Sequence, residues 1–337
     1  MSHGIPDIDT VKAAIALAGR APSIHNSQPW SWTMRDMTLH LAADQERWLG
    51  ATDPAVRDML LSCGATLHHA QVAFASLGWA TRVHRLPSDL HPDRLAALEF
   101  WPKAPTEHDI ALSAAIYARR SDRRPYSARA VTEEDLQPVE AAAHRPGVHV
   151  HHVDVDTARG CLEELVRDAA DVRSADPVWR IEQRMWTGPY LAPGVGVPAS
   201  NIPRNQQPYE RPFYSGALPD TINSISDVGE VLLLATDGDD PQARLQAGEA
   251  TSALLLEATA VGLSTCSLSL VMEVDATRSE LRRRFLADAT EPQLLVRIGW
   301  RPRESEPLPA TPRLRLEEVF QYATRRFATA GHLRSTR

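Results

Sequence analysis

Two short stretches of this sequence hold more hydrogen-bonding groups than their length needs. In "APSIHNSQPW" (21–30), Pro22 and Pro29 bracket Ser23, His25, Asn26, Ser27 and Gln28, and Trp30 then opens a strand-like run. Proline fixes backbone angles and short polar side chains favour turns, so this is a stiff loop dense in donors and acceptors. It suits a planar heterocycle with carbonyls and ring nitrogens; a self-satisfied turn between helix and strand fits the spacing equally. In "RRSDRRPY" (119–126), Arg119, Arg120, Arg123 and Arg124 surround Ser121. Guanidiniums donate paired, charge-assisted bonds, which is phosphate chemistry. The alternative is a solvated face neutralised by Asp122, Glu133 and Glu134. A second basic group, Arg313 and Arg315 in "TPRLRLEEV", alternates, so both side chains share a face if the segment is extended. Two basic clusters far apart in sequence could meet at one phosphate. Finally, "GLSTCSLSL" (262–270) strings small residues after a helix and lets backbone N–H groups approach a ring, unless it is ordinary helix-to-strand packing.

Other chemistries fit less well. His149 and His151 share a strand face near Asp154 and Asp156, and His68 and His69 sit on a helix, but no H-x-x-x-H or cysteine pair completes a metal set. Cys266 stands where a nucleophile elbow needs its second glycine. "GVG" at 194–196 follows no strand, and there is no Walker loop.

The elements that must position these groups alternate in type. A helix is expected over 9–20, with Val11, Ile15 and Ala18 on one face and Asp9 or Thr10 as cap. "SWTMRD" and "MTLHLA" read as a hairpin, 53–78 as a long helix closed by Gly78, and "WATRVHRLP" as a strand. Further helices are expected at 108–119, after Thr132 (with Asp135 completing a capping box and Pro138 as a kink), and at 159–174, 242–262 and 277–286. Strands are expected at 148–155, 231–236 and 294–300. Between them, 176–226 is rich in proline, glycine and aromatics, too apolar for a disordered linker, and reads as a lid. Gly64 and Gly78 bracket one long helix, and Gly248 and Gly262 bracket another at the same spacing. With Val11, Ala14, Ala18 and Arg20 matching Leu136, Val139, Ala143 and Arg145, this suggests two similar α+β halves, at 1–105 and 106–337, the second carrying the insertion.

With 337 residues, 43% of them hydrophobic, the chain can bury a full core. A net charge of −7 argues against nucleic acid as partner. Cys63, Cys161 and Cys266 are odd in number and widely spaced, so a reducing cytoplasm is expected. No apolar run long enough to span a membrane is present, and none opens the N-terminus.

Taken together, the motifs resemble the nitroreductase-like flavoprotein family over most of the chain outside the insertion. In that family a Pro-Ser loop ending in Asn-x-Gln-Pro-Trp lies against the flavin; here it is Pro22, Ser23, Asn26, Gln28, Pro29 and Trp30. An Arg-x-Ser-x-Arg/Lys segment holds the ribityl phosphate, matched by Arg119, Ser121 and Arg123 with Arg120 between them. "G-L-x-T-C" is met by Gly262, Leu263, Thr265 and Cys266, and a basic residue before "LEE" by Arg313, with Arg315 beside it. The resemblance implies FMN as cofactor. It also implies that His25, Asn26 or the backbone N–H groups of Leu268, Ser269 and Leu270 face the pyrimidine end.

The order departs from the family, because the loop precedes the Arg-Ser segment and "HRPGVH" (144–149) replaces the second loop. A fused pseudo-dimer with one intact site is therefore expected, similar to the actinobacterial, dormancy-associated branch with its duplicated fold and lid. The implied activity is electron transfer from NAD(P)H through FMN to a nitroaromatic or quinone, by a monomer or weak homodimer. The alternatives are an FMN store with little turnover, its site filled by Trp179, Trp186, Tyr190, Tyr209, Phe213 and Tyr214, and a specialised biosynthetic redox enzyme.

Overall fold

A computed structural model describes residues 4–35, 37–88, 91, 93–153, 155–189, 191–205, 211–219 and 229–323. Helix α1 (Ile8–Ala18) buries Val11, Ala14, Ile15 and Ala18. Its cap is Asp7, not Asp9 or Thr10. Asp7 is the extended residue just before the first turn, and its carboxylate accepts the N–H groups of Asp9 and Thr10 at 3.0 and 2.9 Å.

The polar loop then feeds the expected hairpin, β1 (Trp30–Arg35) and β2 (Thr38–Ala43), with Trp32 opposite Leu41. Helix α2 (Arg57–Ser76) follows, shorter at its start than expected because Asp53 caps it from the preceding turn. Strands β3 (Trp79–Arg85) and β4 (Arg94–Pro102) complete an antiparallel run β1-β2-β4-β3. β4 was not anticipated. It is buried along both faces over much of its length, so its sequence shows an apolar run without the alternation that marks a strand.

Helices α3 (Glu107–Ala118) and α4 (Glu133–Ala143) each begin at a capping box, Thr106 with Asp109 and Thr132 with Asp135, and Pro138 lies inside α4 rather than ending it. Next come β5 (Val148–Val153), α5 (Val155–Ala175), α6 (Pro177–Trp186), the two-residue strands β6 (Thr187–Gly188) and β7 (Val197–Pro198), β8 (Glu230–Thr236), α7 (Pro241–Ala260), β9 (Ser264–Leu268), α8 (Asp275–Leu286), β10 (Glu291–Gly299), α9 (Leu316–Val319) and β11 (Phe320–Ala323). The second sheet has the order β5-β8-β10-β9, all antiparallel. β11 returns to the first sheet and pairs parallel with β1, Phe320 opposite Trp32.

Helices α2 and α7 are buried around most of their surface, as expected for helices that form the centre of a fold. They cross at glycine. A methyl group added at Gly64 would lie 2.0 Å from the Leu245 carbonyl oxygen, and one at Gly248 would lie 2.1 Å from that of Leu61. The contact is reciprocal, since Leu61 and Leu245, like Gly64 and Gly248, occupy matching positions of the two helices. His68 and Ser252, 184 residues apart, meet at 2.8 Å on the same crossing.

The division at 105/106 does not separate two cores. Ala115 and Ile116 of α3, Leu245 and Leu256 of α7, and Val319 and Phe320 all pack into the cluster around the first sheet. The second sheet has an apolar cluster on each side, one with α4 and α7, the other with α5, α8 and Trp179. The insertion is therefore not all loop. Asp176 caps α6, and Trp179, fully buried, anchors it to the second core. Tyr190 and Tyr209 lie outside the described residues.

Candidate functional site

The polar loop is held in an unusual backbone state. His25, Asn26 and Gln28 have φ of 46°, 56° and 52°, left-handed values that glycine ordinarily supplies. The surroundings impose them. The Gln28 N–H donates to Ser23 Oγ at 3.0 Å, and the Ile24 N–H donates to Ser62 Oγ of α2 at 3.2 Å. The Asn26 amide donates to the carbonyls of Gly196 and Pro312 at 3.1 and 2.9 Å. The Gln28 amide donates to Gly194 O at 2.8 Å and accepts from the Leu314 N–H at 3.0 Å. Non-glycine residues hold such angles only where contacts over-determine them, and such places cluster at functional sites.

Two adjoining cavities open beside this loop, of about 130 and 70 Å³, and share Pro22, Ser23, His25, Ser121 and Arg123. The larger has an apolar floor where α2 and α7 cross (Leu61, Ala65, Thr251), with Leu294 beside it. One wall is Cys266, Ser267, Leu268, Ser269 and Leu270; another is Arg211 and Phe213 of the insertion. The Asp122 N–H donates to Thr265 O at 2.8 Å, docking the Arg-Ser segment against β9.

The smaller cavity is lined by Arg20, Arg119, Arg120, Arg123 and Arg313, with Asn26, Asn201 and Thr311. Among the described residues none of these five guanidiniums pairs with a carboxylate. The Nε groups of Arg20, Arg119, Arg120 and Arg313 are buried without a partner. Burial, and after it the charges of Arg120 and Arg20, pushes Arg119 down to about 10. Burial, and then Arg119, Arg20 and Arg120, pushes Arg313 to about 9. Cations gathered at such cost need an anion to offset them. Asp122 does not serve, because it is taken by Arg124 at 2.8 Å.

The expected residues are thus brought together, with differences. Pro22, Ser23, His25, Asn26, Arg119, Arg120, Ser121, Arg123, Leu268, Ser269, Leu270 and Arg313 line one cavity or both. Gln28 lines neither, since its amide is consumed in clamping the loop to 194 and 314. Arg315 does not share the face of Arg313. It is 72% exposed and binds Glu318, because the chain turns into α9 at that residue. Ser269 spends its hydroxyl on Glu273 at 2.9 Å.

His25 is only 6% exposed, its Nε2 has no partner, and its ring meets Phe213 edge-on at 6.4 Å. Burial first, then Arg211 and Arg123, hold its imidazole well below the usual range, so it is neutral. Three charged residues of the site were not anticipated: Arg20, Arg211 and Asp58. Arg20 stands directly before the loop, a position that offered a signal; Arg211 and Asp58 offered none.

Three of the four histidines weighed as an alternative metal set are engaged otherwise. His68 and His69 both meet Ser252 Oγ, at 2.8 and 2.7 Å, and burial lowers both, His68 to about 3. His149 meets Asp237 at 2.6 Å. Among the described residues no group of three possible metal ligands gathers.

No family model matches the chain. Among solved structures, a nitroreductase with bound FMN from Bacteroides fragilis is 15% identical, with a TM-score of 0.39 over 58% of this chain and 90% of its own. One from Desulfitobacterium hafniense, also with bound FMN, is 14% identical, with a TM-score of 0.39 over 64% and 98%. Whole-chain relatives come from Mycobacterium tuberculosis. A protein provisionally named as an NAD(P)H nitroreductase is 38% identical over 96% of this chain and 94% of its own. A second, acg, provisionally named likewise, is 35% identical over 93% and 95%. Identity at that level, sustained from one end of the chain to the other and accompanied by the loop, Arg-Ser and small-residue motifs that build the two cavities, places the chain in the nitroreductase-like family.

Proposed function

We propose that the protein is an FMN-dependent NAD(P)H oxidoreductase that reduces an electron-poor small molecule, a quinone or nitroaromatic. One observation carries this: guanidiniums with buried Nε groups and, among the described residues, no counter-charge converge on one small cavity that opens into a larger one with an apolar floor and polar walls. A phosphate on a short chain attached to a flat polar ring has that division of chemistry. The residues fit FMN. Arg20, Arg119, Arg120 and Arg313 would hold the phosphate, with Ser121 and Arg123 where the cavities join. The loop at 22–26 and the wall at 267–270 would hold the ring. When bound, FMN supplies two-electron transfer between NAD(P)H and the acceptor.

The chain's own contribution is positioning and exclusion. Leu61 and Leu294 keep water from the floor. Neutral His25 offers a hydrogen bond at its free Nε2. The loop comes from the first half and the Arg-Ser segment from the second, so we read the chain as a pseudo-dimer in one polypeptide. The reciprocal Gly64 and Gly248 contacts support that reading. A chain that supplies both halves of its site is expected to act as a monomer. A reducing cytoplasm is the compartment implied, since Cys63, Cys161 and Cys266 are odd in number and far apart in sequence; among the described residues no helix is long and apolar enough to cross a membrane.

Purified protein should be yellow and release FMN on denaturation; a colourless protein that also refuses added FMN refutes the proposal. A second reading, an FMN store with little turnover, draws support from Phe213 and Arg211, which reach from the insertion into the larger cavity. Oxidation of NADPH and NADH by the intact protein with quinone and nitroaromatic acceptors separates the two.

A further inference from the structure

Asp58 has no part in the function just described, yet it lies on the cavity wall. It belongs to the first turn of α2 and is 7% exposed. No described residue donates a hydrogen bond to its carboxyl. Its neighbour Asp53 shows the contrast, accepting the N–H groups of Arg57 and Met59 at 2.7 and 2.8 Å. A buried carboxyl without partners is costly unless a ligand or a proton satisfies it. The same turn touches the polar loop. Ser62 donates to the Asp58 carbonyl at 2.6 Å and accepts from Ile24 N–H, so Asp58 and His25 stand on adjoining walls.

The charges around Asp58 are largely committed elsewhere. Arg57, on its own helix, is bound to Asp239 at 2.5 Å and Gln293 at 3.0 Å. Arg173, at the end of α5, donates to the carbonyls of Ala51 and Thr52 at 3.0 Å and to that of Glu273. Arg211, from the insertion, is bound to Glu273. Glu182 of α6 accepts the N–H groups of Ala51 and Thr52 at 3.1 and 2.7 Å. Asp53, in the preceding turn, is itself raised to about 7 by burial and then by Asp58, so the two carboxyls titrate together. Burial therefore outweighs the attraction of Arg57, Arg211 and Arg173, and the Asp58 carboxyl is raised above its ordinary range. His25, which lines the same cavity with Cys266, Arg123 and Arg211, is shifted the opposite way and carries no spare proton at neutral pH.

We propose that Asp58 is the proton donor of this cavity, giving its carboxylic proton to an oxygen of the acceptor as that acceptor is reduced. The assignment rests on the oxidoreductase function proposed above. For a quinone, one oxygen receives a hydride equivalent that originates in NAD(P)H. The Asp58 O–H bond breaks, a new O–H bond forms on the other oxygen, and hydroquinone leaves. Asp58 remains as a carboxylate near Arg211 and Arg173 and regains its proton from water.

Asp58→Asn removes the proton and keeps the shape. With a naphthoquinone, kcat should fall about 100-fold, while ferricyanide, which takes electrons and no proton, is reduced as before. In Asp58→Ala, small carboxylic acids added to the buffer should restore part of the quinone turnover. A readout free of turnover is infrared spectroscopy of flavin-free protein. In Asp53→Asn, where Asp53 contributes no band of its own, the C=O band of a protonated buried carboxyl should be present, and it should be lost when Asp58→Asn is added to that variant. Undiminished quinone turnover in Asp58→Asn, equal loss with both acceptors, or an unchanged infrared band overturns the assignment and leaves the oxidoreductase function standing. A wild type that neither takes up FMN nor reduces ferricyanide overturns the function, and the assignment with it.

Discussion

Arg313 and His25 show how single residues prepare this site for a ligand. Arg313 sits among Arg119, Arg20 and Arg120 with no acid among the described residues to balance them. Removing its charge should have opposite effects with and without ligand. Arg313→Met should weaken FMN binding about 10- to 100-fold, the worth of one charge-assisted bond of about 1.5–3 kcal/mol. In the same variant the flavin-free protein should melt higher than wild type, because a buried like-charge contact is relieved. Fluorescence titration with FMN and thermal melts of the stripped protein check both signs. For His25, left-handed and neutral beside Phe213, His25→Ala should weaken FMN retention or shift its reduction potential, measured by dye equilibration. If neither moves, the imidazole only serves the turn.

At the scale of elements, the crossing of α2 and α7 and the ion network at the start of α2 govern stability. Gly64→Ala or Gly248→Ala drives a methyl group into a carbonyl oxygen of the facing helix. Each should cost about 3 kcal/mol or more, read by urea unfolding. At the start of α2, Asp239 binds Arg57, Arg244 and Arg278 at 2.5, 3.1 and 2.9 Å. Burial raises its carboxyl, but the Arg244 hydrogen bond and the charges of Arg57 and Arg278 win and hold it well below the usual carboxylate range. Its stabilisation is therefore present above the unfolded carboxylate value and lost as pH falls through the folded one. Asp239→Asn should cost about 2 kcal/mol at neutral pH, between the exposed and buried limits, and the difference from wild type should shrink in acid. Asp53 has the reverse sign. Burial, then Asp58, raises it to about 7. Its contribution is complete below the ordinary carboxylate range and lost as pH rises through about 7, so Asp53→Asn should flatten the fall in melting temperature across that window.

At the scale of the whole molecule, one chain places a loop from its first sheet against an Arg-Ser segment and a small-residue turn from its second. Sedimentation should therefore find a monomer, with one FMN per chain released on denaturation. The insertion adds Arg211 and Phe213 to the cavity. If Phe213 competes with the nicotinamide for the ring face, Phe213→Ala should raise NADPH oxidation severalfold without loss of FMN. Deleting the whole insertion would be a poorer test, because Trp179 belongs to the second core.

Much of this was legible in sequence because the signals are local. Prolines and short polar side chains mark the stiff loop, glycines the helix ends, Thr132 with Asp135 a helix start, and alternation the hairpin. The clusters of arginine were visible as well. What sequence by itself determined is the inventory: a polar loop, two basic groups, a small-residue turn and the helices and strands that carry them. Their use was decided by tertiary structure. Arg313 and Arg315 are alike in sequence, but one is enclosed with other cations and the other turns to solvent and Glu318. Gln28 matches the motif, yet its amide is consumed by Gly194 and Leu314, far along the chain. Asp58 is one acid among many until α2, the insertion and α5 bury it beside arginines already engaged elsewhere. Burial and partner choice depend on which distant segments meet, and that is a property of the packed chain rather than of any window of it.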